Sequence, residues 1–181
     1  MRRLGLAGLL ASLAAFPAVV APAWADDVTR TASFDIDGDG VPDQVELKRS
    51  ADDTSVDVAV TLSRSKRTVQ VKALVGAEYA EPPTLDDGDV LLSFEWLTGR
   101  YKTHTRFYIG MAGPELVVRR YEAAVVDSIS TDPDGTVKAE FCAADFIANH
   151  ATRDDKPADP PGKPIPLAAW TDDSVPKACQ F

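Results

Sequence analysis

The sequence predicts an all-β fold: a single antiparallel domain of about eight strands, built as a sandwich, a barrel or a curved sheet, with an irregular C-terminal tail. Two patterns and one absence carry this expectation. Apolar and polar residues alternate at a period of two in one segment after another, and pairs of Gly, Pro and Asp punctuate those segments. No stretch of ten or more residues sustains a helical period.

The elements follow in order. Residues 28–34 (VTRTASF) read as an extended segment, and after an acidic loop Val45 and Leu47 alternate with Gln44, Glu46 and Lys48. Residues 56–62 form the clearest strand, with Val56, Val58, Val60 and Leu62 on one face. A polar turn at 63–67 leads into residues 68–74, with Val69, Val71 and Ala73 expected inward. Pro82-Pro83 and Asp86-Asp87-Gly88 break the chain before residues 90–98, where Val90, Leu92, Phe94 and Trp96 share a face. Thr98-Gly99 turns the chain into a strand with Tyr101, Thr103, Thr105, Phe107 and Ile109 on one side and Lys102, His104, Arg106 and Tyr108 on the other. Ala112-Gly113-Pro114 ends it, residues 116–126 are extended again, and the turn at 132–135 precedes residues 137–142, which place Val137, Ala139 and Phe141 on one face. The proline-rich, charged residues 153–166 predict an exposed connector, so the β domain is expected over 26–152 and a connector and tail over 153–181.

The first 25 residues stand apart from any fold. Arg2 and Arg3, an apolar run from Leu4 to Val20 and the small-residue site Ala23-Trp24-Ala25 have the form of a signal peptide cleaved after Ala25. Pro17 and Pro22 oppose the alternative of a retained membrane span. The expected location is periplasmic or secreted, with no membrane attachment after cleavage. Both arginines leave with the leader and no acid does, so the net formal charge of −9 becomes −11. Such a surface repels phosphate backbones and anionic headgroups, which argues against nucleic acid and membrane surfaces as partners and favours cations or basic groups.

Cys142 and Cys179 are the two cysteines, and an even count in an exported chain predicts a disulfide that ties the tail to the body. In the chain-entropy account, closing a loop of that length stabilises by about 4 kcal/mol.

Within FDIDGDGVPDQVEL, residues 34–47, five carboxylates surround two glycines. Hard cations such as calcium take six to eight oxygens, which a short loop supplies from alternate positions if its backbone curls around the ion. Asp35, Asp37 and Asp39 fall at positions one, three and five of the D-x-[DN]-x-[DN]-G-x5-E pattern, followed by Gly40, the Val41 carbonyl, Asp43 and, at position twelve, Glu46. The four aspartates are the principal ligands expected, with Glu46 aimed wherever the strand's pleat directs it. A paired EF-hand is excluded: both flanks read as strands, and Pro42 lacks the N–H that would join two such loops.

At these residues the chain resembles the D-x-D-G-D-G-x-x-D loop of FG-GAP or VCBS-type repeats. That resemblance implies calcium binding; the propeller such repeats build does not carry over, because the motif occurs once in full. The later block GRYKTHTRFYIG…ELVVRRYEAAVVD resembles small exported bacterial proteins that carry a single such loop, with Ala112-Gly113-Pro114 standing where those have an Asn-Gly turn.

For catalysis the sequence is sparse. No G-x-S-x-G, HExxH, P-loop or G-x-G-x-x-G stretch occurs, and the two histidines, His104 and His150, are unmarked by neighbours. The face Lys102, His104, Arg106, Tyr108 is a candidate for an anionic or saccharide ligand, against the alternative that acids on neighbouring strands pair with it. The leading expectation is a non-enzymatic exported domain in which calcium stabilises the loop between the first two strands. The alternatives are an envelope hydrolase or hydrolase inhibitor with an unmarked site, and an adhesion module that recognises a basic partner.

Overall fold

The computed structural model describes residues 29–51, 54–131 and 135–181; the expected signal peptide at 1–25 lies outside them. The described chain is all-β and antiparallel. Eight strands are five residues or longer: β1 (Arg30–Phe34), β2 (Asp43–Arg49), β3 (Ser55–Leu62), β4 (Arg67–Gly76), β7 (Asp89–Thr98), β8 (Tyr101–Ala112), β9 (Glu115–Thr131) and β10 (Val137–Asp145). Five shorter ones, β5 (Tyr79–Ala80), β6 (Thr84–Asp86), β11 (His150–Arg153), β12 (Lys156–Ala158) and β13 (Ile165–Pro166), complete the set, and three single-turn 3-10 helices lie in the tail.

Strands β1 to β4 form a four-stranded meander, and the other nine form a second sheet in the order β12-β11-β10-β9-β8-β7-β5, with β6 also on β7 and β13 on β9. Neither sheet closes into a barrel. Their apolar faces share one continuous core, with Val45, Leu47, Val58 and Val60 from the smaller sheet and Leu92, Phe94, Phe107, Ile109 and Val118 from the larger. Val56, Val58, Val60 and Leu62 are all buried, as their alternation requires.

The tail supplies the rest of the core. Leu167 and Trp170 are buried; the Trp170 ring stacks on Tyr121 at 5.6 Å and meets the Phe107 and Phe146 rings edge-on. The Cys142–Cys179 disulfide fastens the last 3-10 turn (Lys177–Cys179) to β10. β13 takes the stretch of β9, Val117 and Val118, that lies beyond the β10 pairing.

The chain departs from the simple alternation at two places, and the sheet extends beyond the expected boundary at a third. On β4 Ala73 is exposed and Leu74 is buried, so Ala73 does not point inward as expected. The cause is a bulge: Val56 pairs with Val75 but Val58 with Val71, which gives β4 two more residues than β3, and Ala73 sits at φ 50°. Asp57 holds that bulge by accepting from the Ala73 N–H (2.9 Å) and Lys72 Nζ (2.6 Å). Burial alone would raise the Asp57 pKa, but the hydrogen bonds from Lys72, Ser50 and Ala73 outweigh it and leave it lowered.

On β10 the phase is the reverse of a core-facing Phe141, because Cys142 and Ala144 are buried while Phe141 is 39% exposed. On the C-terminal side, the sheet continues past residue 152, since Arg153 pairs with Lys156 in the β11–β12 hairpin. Residues 154–163 beyond that point are largely exposed, in keeping with the polar, proline-rich composition.

Candidate functional site

The acidic loop, residues 35–42, closes the β1–β2 hairpin, whose last pair is Phe34 and Asp43. Strands therefore flank it on both sides, as expected from the sequence. Gly38 and Gly40 have φ of 73° and 82°, with nothing within 4 Å of where a Cβ would stand. The glycines are there for the left-handed backbone and not for space. The curl brings one carboxylate oxygen from each of Asp35, Asp37 and Asp39 within 4.8 Å of the others.

Turn hydrogen bonds shape this curl. Asp37 accepts from the Asp39 N–H (3.2 Å), Asp39 from the Val41 N–H (2.8 Å), and Asp35 from the Gly40 N–H (3.0 Å). Across from it, in the β3–β4 turn, Arg64 Nε lies 3.3 Å from Asp39. The donor set is oxygen only, which suits a hard divalent cation; Asp35, Asp37 and Asp39 would hold it, with carbonyls and water completing its coordination.

Two of the sequence's candidates lie elsewhere. Asp43 is buried with both oxygens engaged: Oδ2 accepts from the Ile36 N–H (2.9 Å) and Oδ1 from the Ser63 N–H (2.7 Å). Glu46 is three residues up β2, exposed, on the face opposite buried Asp43, Val45 and Leu47, and opposite Ala59 in the register. The pleat sends the Glu46 carboxylate to the outer surface of the smaller sheet, away from the loop. Val41 stands in the loop, next to Pro42, whose carbonyl accepts from Ser63 Oγ at 2.6 Å.

The cationic face of β8 lies on the outer surface of the larger sheet, opposite acids on the adjacent strands. Glu95 on β7 meets Lys102 Nζ at 2.8 Å and His104 Nδ1 at 3.1 Å. Glu122 on β9 stands 3.7 Å from Arg106 and accepts from the Tyr108 hydroxyl at 3.2 Å. Tyr108 is on this face yet only 3% exposed, because the Arg120 guanidinium covers its ring at 3.5 Å. Burial first, and Glu122 beside it, raise the Tyr108 pKa.

Sequence reading missed Asp127. It is buried near the C-terminal end of β9, beside the β7–β8 turn, and held by Arg100 of that turn, by Ser130 and by the N–H groups of Ile129 (3.1 Å) and Ser130 (3.2 Å). Burial acts to raise its pKa, but these donors prevail and hold the carboxyl well below the usual carboxylate range. The available signal was Asp-x-x-Ser, a side chain that accepts from its own backbone two and three residues on, here where β9 bulges against β10.

The chain has no significant match among family models, curated proteins or solved structures. Among the described residues no helix is long and apolar enough to cross a membrane.

Proposed function

We propose that this chain is an exported, non-enzymatic β-domain whose β1–β2 loop binds one calcium ion, and that the ion stabilises the loop. The observation that supports this is the convergence of the Asp35, Asp37 and Asp39 oxygens within 4.8 Å of one another at a hairpin whose glycines take the left-handed backbone the curl needs. Without a cation, three such carboxylates repel each other, and Arg64 offsets only Asp39. Calcium tolerates the irregular, partly water-filled shell that this loop offers, whereas magnesium demands near-ideal octahedral geometry.

Export is supported by the leader-like residues 1–25 and by the Cys142–Cys179 disulfide, which persists in oxidising compartments. Outside the cytoplasm an affinity on the order of 0.1–1 mM is enough for occupancy. The test is thermal melting in calcium and in chelator. Calcium should raise the midpoint of the parent chain and leave Asp37→Ala unmoved; a parent midpoint indifferent to calcium overturns the reading.

A further inference from the structure

The outer face of the larger sheet carries a second site. A solvent-open cavity of about 280 Å³ is lined by His104, Arg106, Glu122, Ala123, Ala124 and Phe141. The register explains the grouping: Ala124 pairs with Phe141 on one side and with His104 on the other, and Arg106 pairs with Glu122. Ala124 on β9 forms a low floor, while the Ala123 side chain points the other way into the core; Phe141 rises as one wall, and planar polar groups stand opposite it.

The chemistry of the walls selects the ligand. Phe141 is 39% exposed, an apolar ring presented to water from a sheet face. Arg106 has five N–H donors and a single distant acid, Glu122 at 3.7 Å, so most of its donors remain for a ligand. Glu95 engages His104 at Nδ1, which leaves Nε2 as an acceptor in the neutral ring. Donors and acceptors thus stand side by side next to an aromatic face.

Charge argues against an anion. Lys102, Arg106 and Arg120 each face a carboxylate, those of Glu95, Glu122 and Asp86, so the face is balanced within a chain of net charge −9. A neutral ring with vicinal hydroxyls fits instead: each hydroxyl donates and accepts, and the C–H face of the ring lies on an aromatic. The cavity is slightly below the roughly 300–1,000 Å³ of sites for drug-sized ligands, which matches one or two sugar rings. We propose that this groove binds a neutral saccharide, with Phe141 as the stacking platform and Arg106, Glu122 and His104 as the hydroxyl partners.

The site is separate from the acidic loop, so its test is independent of calcium binding. The ¹⁵N-labelled chain, held in calcium, is titrated with cellobiose, maltose and diacetylchitobiose, and in parallel with inorganic phosphate and benzoate. A disaccharide should move the amides of His104, Arg106, Ala124 and Phe141 in a saturable way. Phe141→Ala should weaken that binding at least about tenfold, and Phe141→Tyr should keep it, both with the parent melting point. The proposal is overturned if none of the disaccharides moves these amides, if Phe141→Ala binds like the parent, or if phosphate or benzoate moves them as strongly as the sugars.

Discussion

Asp43 and Ser63, twenty residues apart, are hydrogen-bonded, and with a second bond from Ser63 to Pro42 this locks the acidic hairpin to the β3–β4 turn. The Ser63 N–H donates to Asp43 Oδ1 at 2.7 Å, and Ser63 Oγ donates to the neighbouring Pro42 carbonyl at 2.6 Å. Asp43 is fully buried and receives a second backbone N–H from Ile36. Replacing it strands two donors, so Asp43→Ala should cost roughly 2–4 kcal/mol. Because the loss is structural, denaturant melts should show it equally in calcium and in chelator. A deficit seen only in calcium would instead make Asp43 a ligand.

The loop and the strand beyond it predict opposite responses to calcium. At one hundred times the dissociation constant a bound ion adds about 2.7 kcal/mol, which for a domain of this size is roughly 5–10 °C in melting midpoint. Asp37→Ala and Asp39→Ala should abolish that rise. Glu46→Gln should keep it, since Glu46 faces out from the smaller sheet. Scanning calorimetry of the variants with and without calcium separates these outcomes.

Asp127 should make stability depend on pH. Its folded pKa is depressed by the donors from Ser130, Ile129 and Arg100 that overcome its burial. A depressed carboxylate pKa gives stability that is complete above the unfolded value, roughly 3.9, and is lost as pH falls through the lower folded value. Asp127→Asn should therefore melt below the parent at neutral pH, and the gap should narrow as the pH drops under about 4. A gap constant with pH would contradict this.

Trp170 should be the tail residue that costs most to remove. It packs against Tyr121, Phe107 and Phe146, so Trp170→Ala leaves a cavity and should destabilise by roughly 3–5 kcal/mol. Replacing Cys142 and Cys179 by alanine should cost about 2–4 kcal/mol. Chemical denaturation of the two variants measures both.

The legible parts of the fold were those where local pattern and tertiary demand agree. Residues 56–62 alternate without interruption, and Val56, Val58, Val60 and Leu62 are all buried. Pro42 and the strand-like flanks were enough to read the acidic loop as a lone loop between two strands and not as part of a paired EF-hand. Ala73 was misread because periodicity assumes an unbroken ladder, and the bulge that turns it outward depends on Asp57 across the strand. Phe141 was ambiguous for a related reason: Phe141 and Cys142 are adjacent apolar residues, and only one can face the core. The disulfide pairs Cys142 with buried Cys179, and that fixes the phase.

By itself the sequence determined the all-β class, the order of the main strands and the spacing of Asp35, Asp37 and Asp39, because these rest on period, turn chemistry and local reach. The tertiary structure alone decided which carboxylates meet: it turned Asp43 to the backbone of Ile36 and Ser63 and sent Glu46 to the opposite face. It also set Phe141 of β10 and His104 and Arg106 of β8 around one groove, across the intervening β9. Side chains distant in sequence come together only through strand register, and register is fixed by the bulges and the shared core that the whole chain builds.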